Sequence, residues 1–163
     1  MSEVQTHLLE PCGGIPNNPR FALLVYPDVF PKGVSPDEIR ERFESNRWHG
    51  TWVNGVFDYD HFHSTAHEVL GCFSGSATVQ FGGESGPKIE VSAGAGVVIP
   101  AGVGHKNLGS SADFGVVGAY PLGQDWDLCQ GDEGDRSSVI AEVAKPPTDP
   151  FFGESGPLIE HWP

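Results

Sequence analysis

A chain of 163 residues suits one well-buried domain and is short for two. A formal net charge of -13, with only 9 Lys and Arg and no basic stripe, argues against nucleic acid as a partner and disfavours strongly anionic ligands. The 22 Gly and 14 Pro favour many short strands joined by tight turns over a helical bundle.

Residues 1–20 read as an irregular arm, because Pro11, Gly13, Gly14, Pro16 and Pro19 oppose regular helix. The start of the chain lacks a basic segment followed by an apolar run, and no stretch reaches about 18 apolar residues, so a cytoplasmic protein without membrane association is expected. A strand is predicted over 21–26. Ser35, Pro36 and Glu38 then mark a helix start, with Ser at the N-cap, Pro in the first turn and Glu placed for a capping box. The helix should run to about Asn46, with Ile39 and Phe43 on its buried face.

From Thr51 the pattern changes to short strands, predicted over 52–59, 68–73, 77–81, 89–91, 97–99, 105–108 and 114–120. Seven strands without long intervening helices argue for an antiparallel barrel or jelly roll. Ser137 to Ala144 reads as a short helix ended by Pro146 and Pro147, followed by an extended Pro-rich tail. The organisation expected is an arm, strand and helix over 1–50, a barrel core over 51–122, and a C-terminal helix and tail over 123–163, all in one structural domain. A turn sequence, Glu84 to Glu90, recurs as Glu154 to Glu160, too short for a repeat fold. Cys12, Cys72 and Cys129 have unrelated spacings and form neither a disulfide framework nor a zinc knuckle.

Four ligand-type side chains stand out within this strand-rich stretch. His61 and His63, two apart, share a face of an extended segment, and Tyr59 shares it too. Glu68 lies past a short link from His63, and His105 follows a tight connection at Pro100 and Gly102. Imidazoles with one carboxylate suit Mn, Fe, Ni, Cu or Zn better than Ca or Mg. Simple strand parity would also allow His67 in place of Glu68; an intervening turn resets the parity and favours Glu68. Tyr59, His67 and Asn107 are the candidates for handling protons or contacting substrate, and Trp48, Trp52 and Trp126 are candidates for cavity walls.

The spacing of Gly55, His61, His63, Glu68 and Gly75 resembles the first cupin motif at every position. Gly94, Pro100, Gly102 and His105 resemble the second motif as far as its histidine; the usual Asn four residues later is Gly109 here, with Asn107 two residues after His105. The stretches 62–71 and 99–108, with Ile15 to Pro19, Tyr120–Pro121 and Asp149–Pro150, resemble the bacterial YjlB-like single-domain cupins. This resemblance implies an all-β double-stranded β-helix, or jelly-roll, barrel of the RmlC-like type. It implies one divalent transition metal on His61, His63, Glu68 and His105, and a homodimer.

Two functions are compatible with such a site. One is a metal-dependent enzyme of oxygenase, isomerase or decarboxylase type, acting on a small organic molecule that coordinates the metal through oxygen. The other is a non-catalytic small-molecule-binding or metal-binding cupin. A 2-oxoglutarate-type facial pair, His-x-Asp, is absent from the chain.

Overall fold

The computed structural model describes residues 3–163. Its elements in chain order are β1 (Gln5–His7), β2 (Leu23–Tyr26), α1 (Pro36–Ser45), β3 (Trp48–Asn54), β4 (Glu68–Ser74), β5 (Ser76–Phe81) and β6 (Lys88–Ser92). They continue with β7 (Gly96–Ile99), β8 (His105–Ser110), β9 (Gly115–Pro121), α2 (Ser137–Ala141) and α3 (Pro157–His161). Two antiparallel sheets form the jelly roll: a larger one in the order β1-β2-β7-β4-β9-β3 and a smaller one in the order β6-β5-β8.

The central strands of the larger sheet, β2, β7, β4 and β9, are buried on both faces, and strand alternation sorts their residues into two cores. Glu68, Leu70 and Cys72 of β4 point one way, with Leu23, Val25, Val97, Ile99 and Val116. There they meet Ala77, Val79 and Phe81 of the smaller sheet. Val69, Leu24, Val98, Val117 and Ala119 point the other way, against Ile39 and Phe43 of α1 and the aromatic residues of the C-terminal segment. Leu24 and Val25 thus lie in different cores although they are neighbours in sequence.

Helix α1 begins as its sequence predicts. Ser35 accepts from the Glu38 main chain at 3.1 Å and Glu38 accepts from the Ser35 main chain at 3.2 Å, closing a capping box. Ile39 and Phe43 are its buried residues.

Three segments differ from the sequence expectation. The N-terminal arm supplies β1, which extends the larger sheet through β2. Strand β3 spans Trp48–Asn54 in place of 52–59, because its pairing with β9 begins at Trp48–Pro121 and ends at Asn54–Val116, with a bulge between His49 and Trp52. The tail is not extended: it turns at residues 149–153 and ends in α3, which buries Leu158, while Trp162 just beyond it is buried as well. Asp149 explains the turn. Fully buried, its carboxylate accepts from Tyr26 Oη at 2.6 Å and from the main chain of Phe151, Phe152 and Leu158 at 2.8, 3.1 and 3.0 Å.

Among the described residues no helix is long and apolar enough to cross a membrane.

Candidate metal centre

The centre lies between the two sheets and draws on three parts of the fold. Glu68 opens β4 in the larger sheet, and His105 opens β8 in the smaller one. His61 and His63 come from a connecting segment that the surroundings hold extended. His61 exchanges two main-chain hydrogen bonds with His105, at 3.2 and 2.9 Å, and Phe62 exchanges two with Cys129, both at 2.9 Å. Alternation along this segment sends Phe62 into a small cluster with Ile15 and Cys129, and His61 and His63 toward the opposite side. Gly102 completes the support. Its N–H donates to the His63 carbonyl at 2.7 Å from a backbone at φ +88, where an added Cβ would sit 2.5 Å from the Asn17 carbonyl oxygen.

The donor atoms of His63, Glu68 and His105 all lie within 4.8 Å of one another, and all three residues are buried. Glu68 Oε1 is 3.4 Å from Nε2 of both His63 and His105. This group can hold a metal ion. The His61 ring stands beside it, its centroid 4.0 Å from that of His105, but His61 is not a member of the converging three.

The other ring nitrogens support the same use. His61 Nδ1 faces the Tyr59 carbonyl at 2.9 Å and His105 Nδ1 faces the Val103 carbonyl at 3.1 Å. His63 Nδ1 faces the Asp127 carbonyl. A carbonyl only accepts, so each Nδ1 carries the proton, and each Nε2 of a neutral ring offers its lone pair. Second hydrogen bonds of this kind are what orient imidazole ligands around a metal.

The electrostatics favour a cation at this point. Burial alone would raise the Glu68 carboxyl, but the charge of His63 and hydrogen bonds from His105 and His63 hold it well below the usual carboxylate range. Burial, the largest single influence, would lower the His63 imidazole, but the Glu68 charge and hydrogen bond together with Asp127 raise it on balance. Burial, with His105 alongside, pushes His61 down to about 3, so that ring stays neutral. A buried anion that raises one imidazole and is held ionised by its neighbours calls for positive charge, supplied by a proton or by a metal that displaces it.

These donors form the floor of a cavity of about 350 Å³. Its walls are Trp52, Phe57, Tyr120 and Trp126, with aliphatic contributions from Leu70 and Leu128.

The fold and centre now have relatives to set beside them. No family model matches the chain. The uncharacterized protein YjlB of Bacillus subtilis (strain 168) is 42% identical over 163 residues, covering 98% of this chain and 97% of that one. The chain belongs to the YjlB family. Solved structures with looser likeness include procruciferin, an 11S globulin from Brassica napus, at 16% identity and a TM-score of 0.40, covering 69% of this chain and 23% of that one. A DUF861 family protein from Thermotoga maritima is 24% identical with a TM-score of 0.34, covering 55% and 93%. RmlC from Streptococcus suis, solved in complex with dTDP-D-xylose, is 13% identical with a TM-score of 0.39, covering 74% and 70%.

In this YjlB-family chain the candidates separate cleanly. His67 faces the opposite core from Glu68: its ring meets Phe21 and Trp162 edge-on, Nδ1 accepts from the Ala101 main chain at 2.9 Å, and Nε2 faces the Ala144 carbonyl at 3.1 Å. Both nitrogens are committed away from the cavity, so His67 is a structural residue. Tyr59 stacks on Phe57 and its carbonyl orients His61, but its side chain is not part of the cavity wall. Asn107 folds back on its own strand, bonding Ser110 Oγ at 3.3 Å and the Gly109 main chain at 2.9 Å, and does not line the cavity. Trp48 is buried in the outer core with its indole N–H on the Thr148 carbonyl, so only Trp52 and Trp126 of the three tryptophans are walls.

Two contributions escape a reading of the motifs. Tyr120, on β9, accepts from Trp52 Nε1 at 2.9 Å and faces Glu68; burial and that carboxylate push its phenol well above the usual tyrosine range. The segment around Asp127 supplies the carbonyl for His63. It is fastened by the Asp127 carboxylate, which accepts from the Ser64 main chain at 2.6 Å and from the Ser64 hydroxyl, and pairs with Arg136 at 3.3 Å.

Proposed function

We propose that this cupin holds one divalent transition metal, drawn from Mn, Fe, Ni, Cu and Zn, through His61, His63, Glu68 and His105. We propose further that it is a metal-dependent enzyme of the oxygenase, isomerase or decarboxylase type, acting on a small organic molecule that reaches the metal through oxygen. The observation that carries the reading is the shared tautomer of the three imidazoles, each with Nδ1 on a main-chain carbonyl, around a buried carboxylate at the floor of a cavity. His61 is the fourth donor in this reading because it lines the same cavity with its Nδ1 committed in the same way.

A bound divalent ion would polarise a substrate oxygen and stabilise negative charge that develops on it. The chain's own residues supply the rest. Glu68 is held ionised, His61 is held neutral, and Tyr120 is held protonated, so the phenol can donate a hydrogen bond beside the donor atoms. Aromatic residues surround the floor.

The second reading, a non-catalytic binding cupin, is favoured by one observation. Neither Tyr59 nor Asn107 lines the cavity, which leaves Tyr120 as the wall residue best placed to handle a proton. The three free thiols suit a reducing compartment such as the cytoplasm, and a homodimer belongs to the same reading.

Metal analysis of protein purified without a metal-affinity column tests the first step. Near-stoichiometric transition metal is expected, falling sharply in His63→Ala, Glu68→Gln and His105→Ala. Protein that takes up no transition metal under any loading condition would sink the proposal. Oxygen uptake and turnover of chelating oxygen compounds by the loaded protein then separate enzyme from binding module.

A further inference from the structure

We infer that the cavity selects a planar aromatic ring carrying an oxygen donor, and that Trp126 is the residue that sets this selectivity. The inference rests on the metal reading above only for the oxygen end of the ligand; the ring end stands on the walls alone.

Four of the wall residues are apolar yet strongly exposed: Trp126 is 54% accessible, Phe57 50%, Val53 44% and Leu128 40%. Exposed apolar groups gathered around a concave opening, with imidazoles and a carboxylate at its floor, mark a ligand site rather than ordinary surface. The aromatic faces share a common orientation. Trp126 and Tyr120 are nearly parallel, 18° apart with centroids 6.0 Å apart, and the Tyr120 hydroxyl is pinned by Trp52. Trp126 also meets the His63 ring at 5.7 Å, close to perpendicular, so its plane rises directly from the donor group. A flat ring entering toward the floor lies along these faces and gains stacking as well as burial.

Charge narrows the class further. Among the described residues neither Lys nor Arg lines the cavity, and the chain carries a net charge of -13. Phosphates and dicarboxylates would find no cationic side chain to meet them, whereas a ring with one acidic or phenolic head brings at most one negative charge to the floor. The fit is therefore to an aromatic hydroxy acid or phenol.

The test compares salicylate with lactate, since both place a hydroxyl beside a carboxylate and only one has a ring. Titrations of the metal-loaded full chain, followed by tryptophan fluorescence and calorimetry, should show salicylate bound on the order of 30-fold more tightly than lactate, from ring burial and stacking. Trp126→Ala should reduce that ratio to about threefold, while Trp126→Phe retains most of it, with metal content measured in each. A control substitution at Leu122, exposed and outside the cavity, should leave the ratio unchanged. Equal affinities for the two ligands, or a ratio unmoved by Trp126→Ala, would overturn the inference. So would a ligand-free change in oligomeric state caused by Trp126→Ala, because the exposed rim would then belong to an interface between copies. The two levels fail differently. A preference for salicylate that persists in protein unable to take up metal retains the aromatic site and removes the metal reading; bound metal without any ring preference does the reverse.

Discussion

The main-chain carbonyl of Asp127 accepts a hydrogen bond from the Nδ1 of His63, although 64 residues separate the two. The aim of a candidate metal donor thus depends on a loop outside the motif stretch, and that loop is held by the Asp127 carboxylate on Ser64 and Arg136.

Asp127→Ala keeps every proposed metal donor but releases this fastening. Metal affinity should fall by about 10- to 100-fold, the usual effect of losing an outer orienting contact. Competition against a chelator of known affinity measures it, and an unchanged dissociation constant would refute the positioning role.

Glu68 and His67 are adjacent and should behave in opposite ways. Glu68→Gln removes the anion from the donor group, so metal content should drop to a small fraction of the parent's. His67→Ala should keep its metal but lose roughly 2–4 kcal/mol of stability, from two lost hydrogen bonds and a cavity beside Phe21 and Trp162. Metal analysis paired with denaturant melts distinguishes the two; full metal in Glu68→Gln would reverse the assignment.

Acid should destabilise the fold through His67. Burial pushes its pKa from 6.5 down to about 3, so between those values the unfolded chain binds the proton and the folded chain does not. Stability from this group is complete above pH 6.5 and declines as pH falls toward 3, with a slope of about 1.4 kcal/mol per pH unit. Urea melts across this range, with His67→Ala as the comparison, should show a shallower acid slope in the variant. Parallel slopes would place the acid sensitivity elsewhere.

Tyr120→Phe removes the phenol but leaves the ring wall. If the centre is catalytic, turnover should fall by about 10²-fold or more, the range for a lost hydrogen-bond donor to developing charge, while bound metal stays near the parent level. Stability should also drop by about 1 kcal/mol, because the Trp52 N–H loses its acceptor. Undiminished turnover in this variant would remove Tyr120 from the chemistry.

The sequence made parts of this arrangement legible because local rules governed them. The capping residues Ser35 and Glu38 act within one turn, and the short strands follow from composition and alternation. Parity also separated His61 and His63 from Phe62, since the segment between them is straight. It failed where a strand end or bulge intervened. Strand β3 stops at Asn54, so Tyr59 no longer shares a continuous strand with His61. The pairing of β5 with β8 shifts register between Thr78 and Val79, close to where Asn107 turns back on its own strand.

Tertiary context decided the remainder. The same turn sequence, Glu84 to Pro87 and Glu154 to Pro157, leads into strand at Lys88–Ser92 and into helix at Pro157–His161. The strand edge of β5 receives the first copy, whereas Asp149 and the outer core receive the second. Asp127 and Tyr120 reach the centre through long-range contacts, 64 residues to His63 and 68 to Trp52, for which no local spacing exists.

The fastening of His63 by residue 127 also orders events during synthesis. A nascent chain that has emerged only as far as β8 already carries His61, His63, Glu68 and His105, yet it lacks the acceptor that orients His63, the β9 strand beside Glu68, and Arg136. Because domains form as the chain leaves the ribosome, an ion held as proposed would settle only late, once the last third of the polypeptide has joined the fold.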